Sequence, residues 1–306
     1  MSRPIRIGTR ESKLAMWQAN QVHHGLLVDG RSASIIPVKS EGDIDLTTPL
    51  YATGVQGFFT RSLDSALLHK RIDIAVHSYK DVPVTLAKGL QVAAVLKRGN
   101  PFDLFVARDE QAKKEFLENK QPLFIATSSI RRRAQWLHKY RSSQIENIRG
   151  NVQTRLKKLN ASPWHGAIFA AAGLKRLGIT EKETGPQILL DWMQPAPAQG
   201  AVVVVCREDD PEMLNACFGL NDETTALCTF AEREFLRQLQ GGCSTPISAY
   251  ATVDENEFHF KGNITTTDGS ESITVSLHGR NEDYRIIVQQ AVDNITSSFT
   301  IQQLLS

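Results

Sequence analysis

Short apolar runs alternate with helix-patterned stretches through the first two thirds of the chain. The segments 33–38, 72–76, 90–96, 123–126, 167–172 and 201–206 read as strands. Between them, 13–27 carries Leu14, Trp17, Val22 and Leu26 on one stripe, and 58–69 reads as a second helix. Alternation of this kind predicts α/β architecture with a mainly parallel sheet, because a parallel strand is reached only through a crossover. The apolar runs are far shorter than the roughly 18 residues of a membrane-spanning helix, so no membrane partner is expected.

Two turn-rich stretches interrupt the alternation: Lys97, Arg98, Gly99, Asn100 and Pro101, then the segment QPAPAQG at 194–200. Read as two crossings, they divide the chain into a first α/β lobe (1–98 and 199–220), a second (101–195) and a remainder at 222–306. The strand at 201–206 would rejoin the first lobe, leaving a cleft between the lobes as the place for a ligand. In the remainder, 222–240 carries Leu227, Phe230, Ala231, Phe235 and Leu239 at helical spacing, with Gly241 as its expected stop. Strands at 247–252, 257–262 and 272–277 and a helix at 283–295 make it a small α+β domain.

A chain of 306 residues with 41% hydrophobic content can bury a core in each such block. The basic start, MSRPIRIGTRESK, has no apolar core of a secretory signal, so a cytoplasmic setting is expected. The four cysteines, Cys206, Cys217, Cys228 and Cys243, show no CxxC spacing, which argues for reduced thiols and against a metal site. A net charge of +2 is too small for a general nucleic-acid or membrane-surface binder. Nothing suggests a coiled coil or an extended apolar interface, so a monomer is expected.

The candidate chemistry gathers where strands end. Ser12 is a plausible N-cap, and with Arg10 it borders free N–H groups suited to a carboxylate or phosphate. After the strand at 72–76 comes HSYKDVP, where Asp81 could serve as general acid or counter-ion and Lys80 could hold an anion. Thr127, Ser128 and Ser129 precede Arg131 and Arg132 at a hydroxyl-rich helix start. Arg149 and Arg155 flank a second junction at Gly150 and Asn151, and Arg176 follows a third. Arginine forks bind carboxylates bidentately, so these residues form an anion site if they face one crevice. Ordinary caps and solvated basic faces are the alternative, and nucleic-acid binding is disfavoured by the lack of interleaved aromatics. Cys243, after Gly241 and Gly242 and before Pro246, is a candidate nucleophile or attachment point, or a plain thiol.

Taken in order, RIGTRESKLAMWQA, HSYKDVP, TSSIRRRAQ, RGNVQTRLKKL, AAGLKRLG, PAPAQGA and LQGGCSTPISAYA resemble the porphobilinogen deaminase family over nearly the full chain. The resemblance implies two lobes like those of periplasmic binding proteins and a third domain bearing a cysteine loop. It implies a dipyrromethane cofactor joined by a thioether to Cys243. It further implies a transferase of haem and tetrapyrrole biosynthesis that adds four porphobilinogen units to this primer with loss of ammonia, water then releasing hydroxymethylbilane. By the same resemblance Asp81 is catalytic, while Lys80, Ser128, Ser129, Arg131 and Arg132 hold the cofactor. Arg10, Ser12, Thr127, Arg149, Arg155 and Arg176 hold porphobilinogen and the growing pyrrole chain. The sequence departs from the family pattern at Gln56, where a loop lysine is usual, and at Ala198, where glycine is usual. A non-catalytic anion-binding module on the same two lobes is the competing function. Ligand affinity without ammonia release would distinguish it.

Overall fold

The computed structural model describes residues 3–39, 60–242 and 245–297. The chain divides into two compact units, one drawn from residues up to 99 and from 200–227, the other from 100–199 and from 228 onward.

In the first unit the strands are β1 (Ile5–Thr9), β2 (Ala33–Pro37), β3 (Ile74–Ser78) and β4 (Leu90–Leu96). In the second unit β5 (Asp103–Ala107), β6 (Phe124–Ala126), β7 (Gln144–Glu146), β8 (Gly166–Ala170) and β9 (Gln187–Leu190) follow. The chain then returns to the first unit as β10 (Val202–Arg207), giving sheet orders β2-β1-β3-β10-β4 and β7-β6-β8-β5-β9. The α/β class is as expected, with a refinement of the expected mainly parallel pairing. Each sheet joins three strands in parallel and adds two antiparallel pairings. The antiparallel strand follows a crossing in both cases: β10 comes after 194–200 and β5 after 97–101. A strand arriving at the end where β3 stops must run back along it, and Val202 duly pairs with Ser78. All six residues of β10 are buried, which suits a valine run covered on both faces. The two crossings meet through Gly99 N–H donating to the Gly200 carbonyl at 3.0 Å.

Each unit buries its own core. In the first, Ala19, Val22 and Leu26 of the helix Lys13–Val28 pack on Ile7, Ile74, Val76 and Val204. In the second, Phe105, Phe116 and Trp136 stack with ring centroids 4.6–5.6 Å apart. The second unit also contains the three-stranded antiparallel sheet β11 (Ile247–Asp254), β12 (Glu257–Thr265) and β13 (Ser272–Arg280), with the helix Tyr284–Thr296 against it. Gln135 Nε2 donates to Ser248 Oγ at 2.8 Å, and the Phe102 and Tyr250 rings meet edge to face at 5.4 Å. Glu232, fully buried on the helix Glu223–Gln238, accepts from Ala198 N–H at 2.6 Å and from Ala251 N–H at 2.8 Å.

Two local expectations are corrected. The run at 167–172 is not all strand, because β8 stops at Ala170 and a helix occupies Ala171–Arg176. The helix Glu223–Gln238 ends through Gln240, not Gly241. Gln240 adopts φ 54°, with Gln240 N–H on Arg237 O and Gly241 N–H on Leu236 O. Gly241 is needed for space instead, since a Cβ there would lie 2.5 Å from both Ile247 Cδ1 and Leu236 Cδ1.

Candidate active site

In the first unit the parallel neighbours β1 and β3 end side by side, so the residues after each share one rim of the sheet. Gly8 makes this packing possible, because a Cβ there would come within 2.2 Å of Ile72 Cδ1. After β1, Ser12 caps the helix Lys13–Val28 by accepting from Ala15 N–H at 3.3 Å. After β3, Tyr79–Asp81 forms one 3₁₀ turn anchored by the buried Tyr79, whose N–H donates to Ala201 O at 3.1 Å.

A pocket of about 70 Å³ opens at this rim, and Arg10, Ser12, Gln18, His77, Ser78 and Asp81 line it. Gln18, itself buried, holds Ser78 by a 2.8 Å bond from Nε2 to Oγ. The pocket therefore sets a guanidinium and a carboxylate around one small volume. Lys80, half-buried, stands on the same turn as Asp81 but is not part of the pocket wall. His77 was not among the expected site residues. Burial, with the nearby Arg10 charge added, pushes its imidazole down to about 4, so it is neutral at neutral pH. A histidine at a strand end in HSYKDVP was the available signal.

In the second unit the hydroxyl-rich junction is used internally. Thr127 is buried, its N–H donates to Glu146 O at 2.9 Å, and its Oγ1 accepts from Ser129 N–H at 3.3 Å. Ser128 Oγ donates to Ile148 O and accepts from Ile148 N–H, both at 2.9 Å. Ser129 caps the helix Ile130–Lys139 by accepting from Arg132 N–H at 3.4 Å.

Arg131 and Arg132 turn inward onto Asp103, a residue that sequence reasoning passed over. Each guanidinium donates through Nη2 to one carboxylate oxygen at 2.7 Å. Arg131 Nη1 also reaches Gln194 O, and Arg132 Nη1 reaches Ile168 O at 2.8 Å. Gln199 Nε2 joins the same carboxylate at 2.8 Å. Burial lowers the Arg131 pKa, against the opposing pull of Asp103. Arg132 Nε is buried with no hydrogen-bond acceptor. Asp103 follows a hinge and reads as a turn residue; its partners stand 28 and 29 positions away.

Ser128 ties the end of β6 to Ile148, and so brings Arg149 to the same end of the sheet. Arg149 follows at the next position, and Gly150 turns the chain with φ 112° into the Asn151 cap of the helix Val152–Asn160. Arg155 lies over the Phe169 ring at 5.2 Å from its centroid, which brings it to the end of β8. Arg176 occupies the last residue of its helix, not the start expected for it, and burial pushes its pKa down to about 10. Cys243 and Gln56 lie outside the described residues. Beside Cys243, Gly242 N–H donates to Thr245 Oγ1 at 3.1 Å, and among the described residues other than its chain neighbours no atom lies within 4 Å of a Cβ built on Gly242.

Two family models match the chain: porphobilinogen deaminase, dipyrromethane cofactor binding domain, over residues 5–215, and porphobilinogen deaminase, C-terminal domain, over 226–296. A porphobilinogen deaminase of Legionella pneumophila (strain Lens) is 39% identical over 294 residues, covering 95% of this chain and 94% of the relative. A chloroplastic porphobilinogen deaminase of Oryza sativa subsp. japonica is 40% identical over 296 residues, covering 94% and 81% respectively. Among solved structures, the second substrate-binding domain of an amino acid ABC transporter from Streptococcus pneumoniae aligns with TM-score 0.44 at 12% identity, covering 77% of this chain and 94% of that one.

Proposed function

The chain belongs to the porphobilinogen deaminase family, and from that premise we propose that it condenses four porphobilinogen molecules into hydroxymethylbilane with release of ammonia. The observation that carries the reading is the pocket lined by both Arg10 and Asp81. Porphobilinogen bears two carboxylates on a pyrrole whose N–H becomes acidic as positive charge develops. A guanidinium for the carboxylate and a carboxylate for the N–H are the two complements this substrate needs.

In this reading Arg10 and Ser12 seat the substrate carboxylates, with Thr127, Arg149, Arg155 and Arg176 serving those of the lengthening chain. Asp81 faces the pyrrole N–H. As ammonia leaves, the Asp81 carboxylate stabilises the resulting cation, and it can then receive the proton lost when the new carbon–carbon bond forms. The neutral state of His77 leaves Asp81 the pocket's acid–base group.

The residues fit a covalent dipyrromethane. A carboxylate oxygen would satisfy the orphaned donor Arg132 Nε, and two guanidinium groups on the single Asp103 carboxylate leave a net positive charge beside it. Lys80, Ser128, Ser129, Arg131 and Arg132 would hold the cofactor's side chains, and Cys243 in 222–306 would tether it by a thioether. When bound, the cofactor supplies the pyrrole carbon to which the first substrate is joined. The protein acts in this reading as a cytoplasmic monomer with no nucleic-acid or membrane partner. Its small net charge supports the lack of a nucleic-acid or membrane-surface partner, and among the described residues no helix is long and apolar enough to cross a membrane.

Intact mass under denaturing conditions tests the reading. The parent protein is expected to be heavier than its sequence by two deaminated porphobilinogen units, and Cys243→Ser to lack that increment. An unmodified parent after incubation with porphobilinogen would point to a non-catalytic binder. Asp81→Asn is expected to remain folded and to lose about a hundred- to ten-thousand-fold in turnover. Near-normal release of ammonia by that variant would remove Asp81 from its role.

A further inference from the structure

The helix Ile130–Lys139 carries three buried polar side chains one turn apart, Arg131, Arg132 and Gln135, and this spacing puts them on one face. The arginines close on Asp103, whereas the Gln135 amide is spent on two other segments of the same unit. Its Oε1 accepts from Gln194 N–H at 2.8 Å. Its Nε2 donates to Gln194 O at 3.0 Å and to Ser248 Oγ at 2.8 Å. Both N–H donors and the carbonyl oxygen are in use, which fixes the amide's orientation as well as its place.

Each partner leads towards the cofactor. Gln194 O is also the acceptor of Arg131 Nη1, so one backbone oxygen fixes the amide and the guanidinium together. Ser248, fully buried, is the second residue of β11 and comes five positions after Cys243 in the sequence. Gln135 therefore bonds the arginine helix to the strand that follows the cysteine loop. The small sheet does not depend on it for attachment. His138 Nδ1 bonds to Gly269 O at 3.0 Å, and Arg141 Nη2 donates to Ser270 O at 3.1 Å. A Cβ on Gly269 would lie 2.5 Å from His138 N, so the turn between β12 and β13 packs directly on the last turn of the helix. What Gln135 adds is register at the other end, where the arginines stand.

We propose that Gln135 is a positioning residue of the condensation, holding Arg131 in register with the strand after Cys243. A dipyrromethane tethered at Cys243 and held by its carboxylates at Arg131 is then seated in one place. This rests on the functional reading above. Loss of Gln135 leaves the thioether intact, because Cys243 is untouched, but lets the held end of the primer shift. A displacement of about 1 Å can cost about a hundredfold in rate, so the effect falls on turnover and not on affinity for free porphobilinogen.

The test is Gln135→Met, made in the full-length holoenzyme and in the cofactor-free Cys243→Ser protein, with Ser248→Ala made in both as the milder variant. Melting midpoints are expected to fall in both backgrounds, since buried groups lose partners, and to fall further in the holoenzyme by about 2 °C or more. Intact mass should show the increment retained. Turnover per loaded enzyme should fall about ten- to a hundredfold with KM for porphobilinogen little changed. A merely structural residue would lower both midpoints equally and leave turnover per loaded enzyme at the wild-type value, and that result overturns the proposal. Loss of the increment from the variant alone overturns it too, as does a raised KM with unaltered kcat, which would place the amide against the incoming substrate. Should Gln135→Met fail to fold, Ser248→Ala, which cuts only the bond to β11, decides by the same comparisons. A wild-type protein without the mass increment would instead overturn the functional reading itself.

Discussion

Ala198 stands fully buried in the return crossing with φ 60°, a left-handed conformation that costs an L residue about 1–2 kcal/mol. Its N–H is held by the Glu232 carboxylate, so the backbone is committed to that shape despite the methyl group. Ala198→Gly is therefore expected to stabilise the protein by about 0.5–1 kcal/mol, the gain reduced by the greater freedom of glycine in the unfolded chain. Urea unfolding followed by circular dichroism measures it, and a lower midpoint for the variant would contradict the strain argument. That glycine is usual at 198 was visible through the family resemblance. Why it is usual was not, because the backbone there is held by the Ala198 N–H donating to Glu232, a helix residue 34 positions further on. Gln240 makes the converse point. The glycine pair after it read as a helix stop, yet the left-handed residue is the glutamine, and Gly241 is there because Leu236 and Ile247 leave no room for a side chain.

At the scale of elements, the strand-to-helix junctions were legible in position but not in use. Ser12, Ser129 and Asn151 cap their helices as hydroxyl and amide residues at such places do. The arginines after them divide. Arg155 reaches a sheet end, whereas Arg131 and Arg132 converge on Asp103, which also takes Gln199 from the crossing segment. Removing that carboxylate would leave two buried guanidinium groups facing each other. Asp103→Ala is expected to cost about 3–5 kcal/mol, read as a fall in the melting midpoint. A change below about 1 kcal/mol would show that the cluster relaxes into solvent. A sequence pattern marks which residues are basic; it does not mark whether a carboxylate closes on them from a distant strand.

For the molecule as a whole, the charge network at the far end of the first sheet is expected to contribute to the acid limit of stability. Burial alone would raise the Asp73 carboxyl, but hydrogen bonds from Arg6 and Arg3 outweigh it and hold the group well below the usual carboxylate range. Because the folded value is depressed, this contribution is complete above the unfolded value of about 3.9 and is lost as pH falls below it. Urea midpoints of the wild type should therefore drop below about pH 4, and Asp73→Asn should be less stable at neutral pH with a shallower acid slope. Equal slopes for both would place the acid sensitivity elsewhere. The alternation of strands and helices in the first unit, the two crossings and the return of β10 followed from the sequence, because apolar spacing and turn chemistry are local properties of the chain, whereas the strands β5, β7 and β9 of the second unit did not. The antiparallel entry of β10 and β5, the capture of Arg131 and Arg132 by Asp103, the strain at Ala198 and the orphaned Nε of Arg132 were decided by the tertiary structure. Each depends on which groups meet across long separations in sequence, and on whether burial leaves a polar atom a partner.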